Sequence, residues 1–314
     1  MFEYDENGLG SIVYNEKSGF HASKNDEVYE ALLTLFSNYH FEIQVFEMQS
    51  HTQFDDLMTQ VMQRHHNAEE VGVVVAAGGD GTLNAVASKL IHSHIPMGIL
   101  PLGTFNYVAR VLGIPLDVLA AAQAIATGHI RAVHVAQLNQ HIYLNNASLG
   151  LYPLFIQKRE LYNKYLGRFP LHAYTSGLDV LIRDRKELKL EVEVDGTKYP
   201  VKTPLVFFGN NQLQLEEMNL KIAKCAEDGQ VAGVVVAKSD KFTLFKILWR
   251  LIRKGLEQAP EVYRFCADEV IVHAKRKKIT VALDGEIVNL KPPLKFSVAK
   301  NALNVVVPHD SASV

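Results

Sequence analysis

Only two of the 314 residues are cysteine, Cys225 and Cys266. That is too few for a disulfide framework and, without other ligands, too few for a zinc site; the expectation is a reducing, intracellular compartment. No apolar run approaches the ~20 residues needed to span a bilayer. The start MFEYDENGLG has neither a cationic end nor an apolar signal core, so a soluble, cytoplasmic protein is predicted. Neither sign of charge is in excess: 32 basic residues face 34 acidic ones, for a formal charge of -2. That balance argues against a nucleic-acid partner. A GxxxxGK[ST] phosphate loop is missing, and Arg183-Asp184-Arg185 stands without the other protein-kinase signatures.

What is present is ordinary globular composition, 48% hydrophobic and 21% charged, over a length that favours two domains. The first half alternates short apolar runs with amphipathic stretches. Ser11–Tyr14, Phe41–Phe46, Val71–Ala77 and Met97–Leu100 read as strands. Helices are predicted from about Asp26 to Tyr39, over Phe54–His65, near Leu83–Ile91 and after Gly103-Thr104. Val71–Ala77 (VGVVVAA) is apolar throughout, as suits a strand buried on both faces of a parallel sheet. The repeated strand–turn–helix unit predicts an open α/β sheet.

From about Arg131 the rhythm changes to closely spaced strands: Val133–Leu138, Ile142–Asn145, Leu188–Val194, Val201–Phe208, Gly233–Ala237, Val270–His273, Ile279–Leu283 and Phe296–Val298. Helical stretches interrupt them near Leu154–Leu166 and Phe242–Leu256. Asp195-Gly196 between two alternating runs signals a hairpin. The second domain is therefore predicted as a mostly antiparallel sandwich, with a soft boundary near residue 130.

Gly78-Gly79-Asp80-Gly81-Thr82-Leu83-Asn84 falls between the buried strand and a helix. There glycines let the backbone approach an anion, and the helix N-terminus offers free N–H groups. Asp80 suits a cation-neutralised phosphate, a ribose or an attacking hydroxyl; the bland alternative is that Asp80 or Thr82 caps the helix. A second strand-to-helix turn lies 22 residues downstream, in Pro101-Leu102-Gly103-Thr104-Phe105-Asn106. A third, Asn15-Glu16-Lys17-Ser18-Gly19, follows the first strand. In a parallel sheet all three open at the carboxyl edge, where a nucleotide can touch each.

GGDGTLN, PLGTFNYVAR, NNASLGLYP, GNN, EDG and LDGE, in that order, resemble the diacylglycerol kinase catalytic family, in its bacterial soluble lipid-kinase branch. The resemblance runs from Asn15 to about Glu286. It implies an α/β fold of two domains: an N-terminal Rossmann-like three-layer nucleotide domain, about 1–130, and a C-terminal β-sandwich for the lipid, about 131–294. In the family the C-terminal segment, about 295–314 here, often returns to the first domain. Three positions depart from the family pattern: Glu16 stands where proline is frequent, Ala85 where glutamate is, and Tyr107 where aspartate is.

The resemblance implies ATP and Mg2+ as cofactors. Asn15, Gly78, Gly79, Asp80, Gly81, Thr82, Leu83, Asn84, Thr104 and Asn106 would hold the nucleotide or its metal. It assigns Glu286, in Asp284-Gly285-Glu286, as the general base for the lipid hydroxyl, with Asp80 as the rival; on local sequence the turn reads as a solvated hairpin. Glu227-Asp228-Gly229 matches a family turn in which Asp228 and the backbone carbonyls of Cys225 and Gln230 hold a structural magnesium, an ordinary turn being equally compatible. The competing functions are an NAD kinase-like enzyme and a non-catalytic nucleotide- or lipid-binding regulator.

Lys241–Lys254 (KFTLFKILWRLIRK) is a basic amphipathic stretch, suited either to packing on the sandwich or to transient peripheral contact with a membrane. The partner implied is thus a lipid substrate, and a homodimer is left open. His65-His66 and His92-Ser93-His94 read as surface or capping histidines.

Overall fold

A computed structural model describes residues 8–15, 26–48, 51–67, 72–151, 153, 187–237, 243 and 260–309. The chain forms two compact units, 1–135 with 300–314, and 136–299. The helices anticipated at Leu154–Leu166 and Phe242–Leu256 lie outside the described residues, Thr243 excepted. No helix among those described is long and apolar enough to cross a membrane.

In the first unit four strands run in parallel: β1 (Gly8–Asn15), β2 (Phe41–Met48), β3 (Val73–Gly78) and β4 (Met97–Pro101). Their order is β2-β1-β3-β4. The end of the last strand, β16 (Leu294–Val307), adds to β4 in parallel, with Val305 opposite Met97. β3 and β4 are buried at every residue, which explains their unbroken apolar sequence.

The helices of this unit are α1 (Asp26–Asn38), α2 (His51–His66), α3 (Asp80–Leu90), α4 (Tyr107–Val111) and α5 (Val118–Thr127). The chain steps one way from β1 to β2 and the other way from β2 to β3. Right-handed crossovers then put α1 on one face and α2 and α3 on the other. Consistent with this, α1 packs on α5, while Lys89 of α3 pairs with Asp55 of α2 at 2.7 Å. The result is three layers. The reversal of strand order also makes a topological switch point between the carboxyl ends of β1 and β3.

His65 corrects the surface reading of the histidines. It is buried, at 6% exposure, with Nε2 2.9 Å from the Ser11 hydroxyl in β1. Burial, then the neighbouring Arg64 charge, lowers its pKa to about 4.

The second unit is a sandwich of two antiparallel layers. One contains β8 (Leu188–Val194), β9 (Thr197–Thr203), β13 (Glu269–Ala274) and the start of β16. The other follows the order β12-β11-β10-β7-β14-β15, formed by Val262–Ala267, Val231–Val236, Leu205–Gly209, Asn146–Gly150, Ile279–Leu283 and Glu286–Leu290. β5 (His129–Leu138) pairs with β6 (His141–Tyr143). Side chains alternate into a shared core that includes Val192, Phe208, Val270, Val281 and Phe296, with Phe208 stacked on Phe296 at 3.9 Å.

Two local findings differ from the sequence expectations. The run Val201–Phe208 is two strands in different sheets, divided at Pro204, which lacks the N–H a continuous ladder needs. The two cysteines, expected to be reduced, are joined: Cys225 of α7 (Ala223–Glu227) bonds Cys266 of β12. Their Cα atoms are 5.9 Å apart, inside the range a disulfide needs. A framework takes several bridges, but one pair takes only two chain segments that the fold brings together.

Candidate active site

The nucleotide-type residues gather at the carboxyl edge of the first sheet. Asn15 ends β1, and Gly78 ends β3 opposite Pro101 of β4. Gly79 precedes α3, and Thr82 and Leu83 are buried in its first turn, with Gly81 and Asn84 half-buried beside them. The two glycine turns touch. A Cβ on Gly103 would lie 2.7 Å from the Gly79 Cα and 2.7 Å from the Asn106 Oδ1. Any side chain at Gly103 would therefore push the turns apart.

Asn106 shapes this edge instead of projecting from it. It is buried, adopts the left-handed conformation at φ 49°, and clamps Gly103: its Oδ1 accepts the Gly103 N–H and its Nδ2 donates to the Gly103 carbonyl, both at 2.9 Å. Thr104 and Phe105 are left exposed between them.

Asp80 also has a structural task. Its carboxylate accepts the backbone N–H of Val108 at 3.2 Å and that of Tyr107 at 3.4 Å, satisfying orphan donors of α4. The capping alternative raised from sequence concerned α3, which has no side-chain cap; the helix that Asp80 caps is α4. Tyr107, at the position where aspartate is frequent, stacks on Phe105 at 5.9 Å and carries the Arg110 guanidinium 5.4 Å above its ring. A cation–π contact thus occupies Arg110 here.

Glu286 and its turn belong to the second unit. Asp284 and Gly285 have φ of 47° and 90°, both positive, as a type I′ hairpin between β14 and β15 requires. Glu286 opens β15 and is exposed. Asp284 does more than turn the chain. Its carboxylate accepts the N–H groups of Leu144 at 2.7 Å, Asn145 at 2.8 Å and Asn146 at 2.9 Å, and its own N–H donates to the Asn146 carbonyl. Burial, then the Asp284 charge, pushes the adjacent Tyr143 phenol well above its ordinary range, so that it stays neutral.

Around Asn145 and Asn146 the second unit ties a knot of amides. Asn210 and Asn211 both donate backbone N–H groups to the Asn145 carbonyl, and Asn211 Nδ2 donates to Asn145 Oδ1 at 2.9 Å. Asn211 also caps α6 (Gln212–Glu217). Motif matching picks out the letters NNAS and GNN without saying that they meet. The only signal in the sequence is two asparagine pairs abutting otherwise apolar strands.

Asp228 follows α7, which closes as a Schellman motif: Gln230 N–H donates to the Cys225 carbonyl at 2.7 Å and Gly229 N–H to the Ala226 carbonyl at 3.3 Å. Gly229 supplies the left-handed residue, at φ 70°. The Cys225 carbonyl keeps a second lone pair, and the exposed Asp228 carboxylate is a hard donor, so the oxygens of this turn fit magnesium in kind. Among the described residues no group of three or more His, Cys, Asp or Glu side chains gathers as a metal site.

The first unit is an open α/β sheet with glycine turns at its switch point, and the second is a β-sandwich. Residues 10–138 match the family model of the diacylglycerol kinase catalytic domain, and residues 161–307 match the YegS C-terminal NAD kinase beta sandwich-like domain. The chain belongs to the diacylglycerol kinase catalytic family. A diacylglycerol kinase of Staphylococcus aureus strain JH9 is 27% identical over 95% of this chain and 92% of its own. Two solved structures from Bacillus anthracis strain Sterne share the fold over 98% of both chains. One is described as a diacylglycerol kinase, at TM-score 0.64 and 15% identity. The other is proposed to be one, at TM-score 0.69 and 21% identity.

Proposed function

We infer that this chain is an ATP-dependent lipid kinase that transfers the γ-phosphoryl group of ATP to the hydroxyl of a diacylglycerol-like lipid. The observation that carries the reading is the contact between the Gly79 and Gly103 turns at the carboxyl edge of the parallel sheet, in a chain whose two halves match the family models. The first unit acts as the nucleotide domain and the second as the lipid domain.

The phosphates lie along the N-terminus of α3, against the backbone of Gly79, Gly81 and Thr82, with Thr104 and Asn15 at the rim. Asp80 holds α4 in place beside them. The lipid oxygen attacks the γ-phosphorus, its proton passes to Glu286, and ADP leaves with the bond electrons. Magnesium bound with ATP would neutralise phosphate charge. A second, structural magnesium would be held by Asp228 with the carbonyls of Cys225 and Gln230; thermal stabilisation by magnesium chloride that survives in Asp228→Asn would contradict that assignment. Lys241–Lys254, of which only Thr243 is among the described residues, supplies transient contact with an anionic membrane.

Phosphate transfer from ATP to diacylglycerol, to a sphingoid base and to NAD, measured side by side, tests the reading. Turnover of the acylglycerol is expected. Turnover of NAD alone would make the chain an NAD kinase, and turnover of none would make it a regulator.

A further inference from the structure

Among the described residues, Phe105 is the most exposed large side chain without a polar atom, at 62% against 52% for Leu116. A single exposed phenylalanine ordinarily says little. This one is held at a defined place. It lies in the turn that Asn106 clamps onto Gly103 through two hydrogen bonds of 2.9 Å. On its other side the backbone N–H of Tyr107 donates to Asp80 at 3.4 Å. Both anchors belong to the glycine turns, so the backbone of Phe105 is fixed relative to them. Phe105 stands two positions from Gly103, a reach of roughly 7 Å at most, and Gly103 lies against Gly79. The ring is ordered as well. It stacks on Tyr107, with the planes 11° apart and the centroids at 5.9 Å.

A fixed aromatic ring beside a phosphate site suits one part of a nucleotide. The phosphates are anions that take N–H groups or cations, and the ribose takes hydrogen bonds. The base is a flat π-system. A ring facing it removes apolar surface from water on both partners and asks for no donor or acceptor. An acyl chain would accept an apolar contact too, but it is flexible and bends to fit a groove. Phe105 offers a single flat ring next to the exposed Thr104, and the reading above gives the lipid to the second unit. Stacking on Tyr107 orders the ring before the base arrives, which lowers the cost of binding.

We propose that Phe105 is the base-stacking residue of the nucleotide site, in contact with the purine of ATP. This rests on the nucleotide-domain reading above and adds to it a residue found by exposure and anchoring.

The test measures dissociation constants by calorimetry on the full chain, for ATP and for inorganic tripolyphosphate, both with magnesium chloride. Phe105 is exposed, so its substitution removes no core contact. Phe105→Ala should weaken ATP by about 10-fold, within the range that base–aromatic stacking contributes, and leave tripolyphosphate unchanged. Phe105→Trp should hold ATP at least as tightly as the wild-type chain. Equal losses for the two ligands would make Phe105 a mere support of the turn and overturn the proposal. So would unchanged ATP affinity in Phe105→Ala, or a tryptophan variant as weak as the alanine one. A wild-type chain that binds neither ATP nor tripolyphosphate overturns the nucleotide reading itself, a result distinct from any difference between variants.

Discussion

The Asp80 carboxylate accepts the Val108 backbone N–H at 3.2 Å, so a residue of the first glycine turn caps the helix that follows the second. The two turns are therefore one mechanical piece. Asp80→Ala should cost about 1 kcal/mol of stability as a lost cap, and it should abolish turnover. Asp80→Asn keeps an acceptor oxygen and should recover most of the stability. Melting curves and kcat for the two variants check this; full activity in Asp80→Ala would contradict it.

His65 gives the chain a pH dependence of known sign. Its pKa is about 4 in the folded protein against 6.5 when free, so the unfolded chain binds the proton first. Stability is then complete above about pH 6.5 and falls as pH drops toward 4, by as much as roughly 3 kcal/mol. Chemical denaturation at pH 7.5 and 5 should show the loss, and His65→Gln should flatten that slope.

The frame of the first unit was legible because its strands are buried on both faces and read as apolar runs, Val71–Ala77 above all. The hairpins at Asp195-Gly196 and Asp284-Gly285 were legible because positive φ at both positions selects those residues. β7 was not, since Asn146–Gly150 resembles a polar motif more than a strand until its partners β10 and β14 are known. β12 and β15 escaped notice as well; they lie at the two ends of their layer, where alternation is weak. In the site, chain-local features such as the glycine turns were visible. The caps made by Asp80 and Asp284 were not, because the latter reaches 138 to 140 residues along the chain. A hydrogen bond of that span leaves no periodic trace in a sequence.

The Cys225–Cys266 bond fastens the α7 turn to β12 across 41 residues. Thiol titration of protein purified without reductant should find no free cysteine, and a reductant should lower stability by about 2–4 kcal/mol. Cys266→Ser should melt like the reduced chain. Two titratable thiols in the unreduced protein would count against the bond.

The proposed membrane contact of Lys241–Lys254, with packing on the sandwich as its alternative, follows from its charge and apolar pattern. Replacing Lys246, Arg250 and Arg253 by Gln should weaken sedimentation with anionic vesicles, by about 1 kcal/mol per charge at low salt, and added salt should shrink the difference. Unchanged binding at low salt would remove this segment from the account.

The reading as a lipid kinase stands or falls most directly on Glu286. The measurement is kcat for phosphoryl transfer from ATP to an acylglycerol, in the wild-type chain and in Glu286→Gln. Glu286 is exposed and follows a turn whose geometry Asp284 and Gly285 set, so the substitution should leave the fold and ATP affinity unchanged. The account predicts a wild-type chain that phosphorylates the lipid and a variant slower by about 10²–10⁴-fold. Wild-type kcat in Glu286→Gln, with activity lost instead in Asp80→Asn, would give the base to Asp80 and contradict the assignment made here.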